Sequence, residues 1–290
     1  MLKMYHQSQY SGNTPEYWAN SWDELHFDEL LQQCSLDPLL PLFDKYVTKD
    51  ALILEGGCGK GHWVAYFSDL GHKIVGLDFA QRTLAELRTK RDGLLLPAGN
   101  VNELPFADET FDVYYSGGVV EHFESGCDAA LSEAKRVLKP DGKLLLSVPY
   151  YSPLRKMLTP FRRHEWRRLN GPEADKTNPY DSVVFFQYAY DVSEFSNMLN
   201  NAGLHVVETM GYSVIWGLYD LRFMANRAKV RQQGQTDGTR TCGHKAKSTM
   251  IKSASKDLLL GENTGSRLQR VTTKLMRWSA ANMMMFVCEK

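Results

Sequence analysis

The sequence predicts an α/β fold built on a doubly wound, mostly parallel sheet, and three observations carry that expectation. From residue 51 onward, short apolar runs alternate with amphipathic stretches. The runs are continuously apolar, as strands covered on both faces are. A glycine-rich turn, Glu55-Gly56-Gly57-Cys58-Gly59-Lys60-Gly61, joins the first run to the first amphipathic stretch. In that arrangement backbone amides approach a ligand closely, because glycine has no side chain in the way. Right-handed crossovers then give the doubly wound topology, with ligand space outside the carboxyl ends of the strands.

Residues 1–50 are expected as a helical cap ahead of the first strand. Pro15-Glu16-Tyr17-Trp18 and Trp22–Phe27 form an aromatic segment, and Leu39, Leu42, Phe43 and Tyr46 recur at helical spacing. Trp18 and Trp22 have two readings, packing on the core or covering the glycine turn. Strands are expected over Ala51–Glu55, Lys73–Asp78, Leu94–Ala98, Phe111–Ser116 and Gly142–Val148, with helices over Gly61–Leu70, Ala80–Arg91 and Asp128–Leu138 between them. After residue 148 the alternation breaks, and residues 149–190 are too long and too aromatic for a plain connection. A helix over Asp191–Asn201, capped by Asp191 and stopped by Gly203, precedes a sixth strand at Leu204–Glu208. A seventh is expected at Met283–Cys288. Between them, residues 221–280 carry 13 Lys or Arg against 3 Asp or Glu, with residues 234–243 expected as a flexible loop.

Composition narrows the function classes. The 290 residues carry a formal net charge of zero, so no global field favours nucleic acid or a membrane. Cys34, Cys58, Cys127, Cys242 and Cys288 are scattered and form no CxxC pair, which argues against a disulfide framework or a structural zinc site. Cys242 and His244 alone are two ligands short of a metal site, and no metal is expected. Met1 to Tyr10 has no apolar signal core. No apolar run approaches the ~18 residues of a membrane span. The expectation is a cytoplasmic protein.

The glycine turn resembles the first motif of class I S-adenosylmethionine-dependent methyltransferases, of the type 11-like small-molecule group, whose usual form is (Asp/Glu)-x-Gly-x-Gly-x-Gly. The resemblance continues through Gly76-Leu77-Asp78, Gly99-Asn100-Val101-Asn102-Glu103-Leu104-Pro105-Phe106 and Phe111-Asp112-Val113. It runs on through Gly118-Val119-Val120-Glu121-His122-Phe123 and Arg136-Val137-Leu138-Lys139-Pro140-Asp141-Gly142-Lys143, covering residues 50–150 densely and 185–210 loosely. It implies a Rossmann-like methyltransferase fold of seven strands with the last antiparallel. It also implies an S-adenosylmethionine-binding core at 51–150, an acceptor-side lid insertion at 151–190, and the rest of the same domain at 191–290 with a basic insertion at about 221–280.

S-Adenosylmethionine is the cofactor the resemblance implies, held by Glu55, Gly56, Gly57, Cys58, Gly59, Gly61, Asp78, Phe79, Asn100, Val101, Ser116 and Gly117. Glu55 would reach the amino group and hold the turn, and Asp78 would accept both ribose hydroxyls. Asn100 stands where the family commonly has Asp, and its amide oxygen can still accept from the adenine amine. Val101 would edge the ring, and Ser116 and Gly117 would offer carbonyls. A nicotinamide fingerprint needs Gly or Ala five positions after its first glycine. Counted from Gly57 and Gly59, those positions are His62 and Val64.

Methyl transfer from a sulfonium needs chiefly alignment and water exclusion. A base helps when the acceptor is a hydroxyl, and His122, beside Glu121, is the candidate, with a structural role as the alternative. Trp18, Tyr150, Tyr151, Arg155 and Tyr188 are candidates for the acceptor pocket. The acceptor expected is an O or N atom of a small molecule, or of an acidic, lipid-linked or sugar-linked one. The basic stretch Leu154–Leu169 reads as a solvated lid, as arginine forks for an acidic acceptor, or as a peripheral contact with an anionic membrane. Nucleic acid is disfavoured: Ser116-Gly117-Gly118-Val119 is not the Asn/Asp-Pro-Pro-Tyr/Phe signature of base methylation, and no Pro-Cys nucleophile is present. An RNA-directed methyltransferase and a non-catalytic S-adenosylmethionine-binding protein are the alternatives. Nothing in the chain speaks to oligomeric state.

Overall fold

The computed structural model describes residues 1–6, 14–23, 25–162, 166–168, 184–221 and 267–290. The loop expected at 234–243 and the Cys242–His244 pair lie outside these residues, as does most of the basic stretch.

Among the described residues the main sheet has six strands, one fewer than expected: β2 (Leu52–Gly56), β3 (Lys73–Leu77), β4 (Phe111–Gly117), β5 (Leu138–Pro149), β8 (His205–Tyr212) and β9 (Met283–Glu289), in the spatial order β3-β2-β4-β5-β9-β8. β2 pairs in parallel with both β3 and β4, and β4 with β5, whereas β9 runs antiparallel between β5 and β8. The stretch expected as a strand at Leu94–Ala98 contributes only two isolated parallel bridges, Val75 to Leu95 and Asp78 to Ala98. Pro97 sits between them and has no N–H for a ladder, and Leu95 projects into solvent.

Side chains alternate across this sheet because successive Cβ atoms point to opposite faces. Ile53, Val113, Tyr115, Leu145, Met285 and Val287 face one buried layer. It is completed by α2 (Phe27–Cys34), α3 (Leu40–Tyr46) and α4 (His62–Asp69). Leu54, Tyr114, Leu144, Leu146 and Phe286 face the other, under α6 (Asp128–Val137) and α8 (Val192–Asn201). The apolar face expected on the 128–138 helix is there: Ala130, Leu131, Ala134 and Val137 are buried. Asp191 caps α8 by accepting from the Ser193 amide at 3.2 Å.

The N-terminal segment departs from the helical-cap expectation. α1 (Pro15–Asp23), α2 and α3 are helical, but they follow a strand, β1 (Leu2–His6). β1 pairs antiparallel with β6 (Trp166–Arg168) and β7 (Val184–Ala189), forming a separate three-stranded sheet. Leu2 and Tyr5 are buried in it, and Lys3 is buried too, its ammonium 2.7 Å from Glu124 and over the Tyr5 and Phe185 rings. Its partners lie more than 160 residues away, so no local pattern announces this strand. Among the described residues no helix is long and apolar enough to cross a membrane.

Candidate functional site

The glycine turn leaves the end of β2 in a left-handed path, with φ of +79° at Gly57, +50° at Gly59 and +64° at Gly61, conformations that side-chain-bearing residues adopt only with strain. It is anchored from the neighbouring strand. The Gly57 and Cys58 amides both donate to the Leu77 carbonyl, and the Gly59 amide donates to Asp78 Oδ2 at 2.8 Å. Asp78 Oδ1 accepts from the Ala80 amide at 2.8 Å. Burial raises the Asp78 carboxyl despite these amides and that of Phe79.

Gly57 of the turn, with Asp78, Phe79, Gly99, Asn100, Val101, Gly118, Val119, His122 and Phe123, lines a cavity of about 120 Å³, and a Cβ on Gly57 would meet the Val119 side chain. Its cover is α1, which contributes Trp18 and Trp22. A Cβ on Gly59 would meet the Trp22 ring, and Trp18 packs edge-on against His122 with ring centroids 4.6 Å apart. Of the two readings of these tryptophans, covering the glycine turn is the one the geometry favours. α1 is fastened to α5 (Gln81–Lys90) by Arg82, which donates to Asn20 and Asp23, an exposed and therefore weak latch.

His122 lies in a short 3₁₀ turn, Val120–His122, after β4. Its Nδ1 is 2.7 Å from the Phe186 carbonyl of β7. A carbonyl only accepts, so Nδ1 carries the hydrogen and neutral His122 has its lone pair on Nε2. Nε2 is 3.8 Å from Glu121 Oε1. Burial raises the Glu121 carboxyl to about 8, and its Oε2 has no hydrogen-bond partner. Glu121 is thus protonated at neutral pH. A carboxyl whose folded-state value is raised contributes stability that is complete below its unfolded value of ~4.3. That stability is lost as pH rises from there to about 8. Glu121→Gln is therefore expected to unfold at a higher temperature than the parent at pH 8 and at nearly the same temperature at pH 5. An equal difference at both pH values would contradict this.

Several expected site residues are directed elsewhere. Glu55 is buried and points to the start of α4, where the Val64 amide donates to it; burial, with Asp78 nearby, holds its carboxyl well above the usual range. It supports the turn from behind and does not line the cavity. Gly56 is packed under Tyr114, and Gly61 abuts Leu87. Cys58 is buried beside Gly76, its thiol pushed up by desolvation. Burial likewise pushes the Cys127 and Cys288 thiols up to about 12, so neither is a ready nucleophile. Ser116 donates from Oγ to the Gly56 carbonyl at 3.1 Å, tying β4 to β2, and Gly117 is exposed outside the cavity wall. The wall at this point is Gly118 and Val119.

The expected acceptor residues divide in the same way. Trp18 is in the cavity. Tyr188 is buried in the second sheet and donates to the Glu124 carbonyl at 2.9 Å. Tyr151 packs with Leu2, Leu158 and Trp166. Tyr150 lines a different space, beyond β5. Arg155, on α7 (Pro153–Leu158), is an internal brace: its guanidinium meets Asp220 at 3.0 Å, the Tyr150 and Asn282 carbonyls at 2.9 and 3.1 Å, and the Asn282 side chain. Arg155→Ala orphans the Tyr150 and Asn282 carbonyls while Asp220 stays paired with Arg162 at 2.9 Å, and is expected to cost about 1–3 kcal/mol, read as a lower urea midpoint. A cost below about 1 kcal/mol would match a solvent-facing arginine. Sequence reasoning missed Gly99, Gly118, Val119 and Phe123 as wall residues. Trp22, which stands one helical turn after Trp18 and so shares its face, lines the cavity with it.

A family model described as a methyltransferase domain matches residues 54–146. A probable S-adenosylmethionine-dependent methyltransferase of Mycolicibacterium smegmatis is 30% identical over 172 residues, 58% of this chain and 58% of that protein. The malonyl-[acyl-carrier protein] O-methyltransferase of Pectobacterium atrosepticum is 28% identical over 150 residues, 52% of this chain and 55% of that protein. The chain thus spans little more than half the length of these curated relatives. Among solved structures, a chain of the complex between the Haloferax volcanii Trm112 methyltransferase activator and a methyltransferase-like protein superposes with a TM-score of 0.55. That match has 15% identity and covers 97% of this chain and 99% of that one. The PH0226 protein of Pyrococcus horikoshii superposes at 0.52, with 21% identity over 68% of this chain and 93% of that one. At such identities these two establish the fold. Residues 54–146, from β2 to β5, thus match a methyltransferase domain in sequence, within a fold shared with these structures.

Proposed function

We propose that the chain transfers a methyl group from S-adenosylmethionine to an oxygen or nitrogen of a small-molecule or lipid-linked acceptor, with His122 as the base when the acceptor is a hydroxyl. The observation that carries this reading is one cavity lined by Gly57 of the glycine turn and Asp78 and also by His122. An oxygen acceptor accords with the O-methyltransferase among the relatives.

The residues present fit the cofactor. Asp78 keeps lone pairs beyond those used by the Gly59 and Ala80 amides, enough to accept from ribose hydroxyls. Gly57 presents backbone with no side chain toward the cavity, and Asn100 and Val101 offer a polar and an apolar edge for a purine. Asn100 Oδ1 already accepts from the Asn102 amide at 3.0 Å, which fixes the orientation of its side chain. With Trp22 on Gly59 the cavity falls short of the roughly 300 Å³ of a small-molecule site. Displacing α1 from its exposed Arg82 latch would open it.

S-Adenosylmethionine supplies a methyl carbon already activated by its sulfonium sulfur. The chain's own task is to align, to exclude water and to take a proton. Phe186 fixes the His122 tautomer, Trp18 covers its ring, and Nε2 takes the hydrogen as an acceptor hydroxyl becomes nucleophilic. On this reading α1 and β7 form the acceptor side, joined to the cofactor side through His122. The test is incubation with methyl-labelled S-adenosylmethionine and a cell extract, then fractionation into water-soluble, lipid and nucleic-acid pools. Label in the first or second pool, with S-adenosylhomocysteine released, is expected. Label confined to RNA would replace the proposed acceptor class, and binding without any labelled product would favour a non-catalytic role.

A further inference from the structure

The last helix, α9 (Arg267–Ala280), has two apolar faces, and only one of them is used by the fold. Thr273 and Ala280 are buried, and Met276 is packed against the core. On the opposite side Val271, Leu275 and Trp278 are 57, 58 and 60% exposed. Their spacing of four and three residues sets them in a single stripe along the helix. Arg270, Lys274 and Arg277 form a row along one flank of that stripe, and the helix contains no acidic residue. α7 packs on α9 and adds Met157, 60% exposed, with Phe161 just beyond it at 54%. Scattered exposed apolar side chains are ordinary, whereas an ordered stripe of this kind marks a contact surface.

We propose that this face docks on an anionic membrane surface. The chemistry of the stripe favours lipid over protein. Lysine is depleted in protein interface cores, and Lys274 lies between Val271 and Trp278 along the same side. Apolar side chains beside a lysine and arginine row, with tryptophan at one end, are what a helix lying in the headgroup region needs. The chain as a whole has no net charge, so the attraction comes from this local row. Beside the stripe a groove of about 750 Å³, lined by Tyr150, Lys156, Lys274, Arg277 and Trp278, offers room for an anionic headgroup. Its acids are already paired, Asp191 with Lys156 inside the groove and Glu208 with Lys45 and Tyr46, so the headgroup charge would be met from the α9 row and not by Lys156. From α9 the chain passes directly to Met283, whose methyl lies 3.7 Å from where a Cβ on Gly118 would be, in the wall of the candidate site. Docking would therefore bring that site close to the lipid. The inference stands on the helix itself and does not require methyl transfer.

The experiment is co-sedimentation of the full chain with phosphatidylcholine vesicles and with equimolar phosphatidylcholine–phosphatidylglycerol vesicles, at low and high salt. Binding to the anionic vesicles, weak binding to the neutral ones and weakening by salt are expected. Leu275→Asp and Trp278→Ala should each lower the partition coefficient about tenfold or more, and Lys274→Ala about fivefold. All three side chains or their charged ends face solvent, so unfolding temperature and S-adenosylmethionine affinity should not move. Absence of anionic-vesicle binding, or binding untouched by Leu275→Asp and Trp278→Ala, would overturn the proposal. So would a salt-insensitive dimer abolished by Leu275→Asp, which would make the stripe a protein interface.

Discussion

Asp78→Ala is expected to lower affinity for S-adenosylmethionine by two orders of magnitude or more. Two effects add. The first is loss of the carboxylate as acceptor for the ribose hydroxyls, charge-assisted bonds worth ~1.5–3 kcal/mol each. The second is internal, since Asp78 receives the Gly59 and Ala80 amides and both are orphaned by the substitution. Buried donors without partners cost about 1–3 kcal/mol each, so the turn loses the constraint that shapes it. Asp78→Asn should fall between the parent and Asp78→Ala, in affinity and in folding. Its amide oxygen accepts from one of those N–H groups while its NH2 faces the other, which stays orphaned. Titration calorimetry reads the affinities and thermal denaturation the folding. Parent-like affinity in Asp78→Ala would remove Asp78 from the cofactor site.

His122→Ala is expected to reduce turnover of a hydroxyl acceptor by about two to four orders of magnitude, the range of general-base catalysis. Cofactor affinity should change little, because His122 is tied to Phe186 and makes none of the hydrogen bonds that hold Asp78 and the glycine turn. The proton economy around the ring explains why the loss should be large. The Phe186 carbonyl holds the hydrogen on Nδ1, leaving Nε2 as the basic nitrogen, and the nearby Glu121 is kept neutral by burial. A charged neighbour would hold His122 protonated and unable to accept. His122→Asn, which lacks a basic nitrogen, should be nearly as slow as His122→Ala. Full turnover by His122→Ala would assign the ring to packing between Trp18 and Phe186, both of which it contacts edge-on.

The sheet was legible because its strands are locally apolar and its turns are chemically distinctive. The stretch from Leu52 to Val148 could be read from runs of neighbouring residues, each strand announcing itself by continuous burial. Leu94–Ala98 was read as a strand from its apolar run, and Pro97, which lacks the N–H a ladder needs, leaves it with two isolated bridges. β1 was invisible for the opposite reason: Leu2 to His6 is stabilised by Trp166–Arg168 and Val184–Ala189, and sequence does not pair segments so far apart. The site shows the same division. Gly57, Asp78, Phe79, Asn100, Val101 and His122 line the cavity because they lie at or just after strand ends, where the fold class places ligands. Arg155, Tyr151 and Tyr188 were assigned from their residue type and their place at or after the fifth strand. Their hydrogen bonds and packing, to Asp220, Thr159 and Glu124, depend on how distant segments meet.

The most direct test of the account is thermal denaturation with and without S-adenosylmethionine, on the parent and on Asp78→Ala. A ligand that binds only the folded chain stabilises it by about 2.7 kcal/mol at 100 times its dissociation constant. The account predicts a saturable rise in the parent's unfolding temperature and none in Asp78→Ala at the same ligand concentrations. An unresponsive parent, or an equal rise in both, would contradict it.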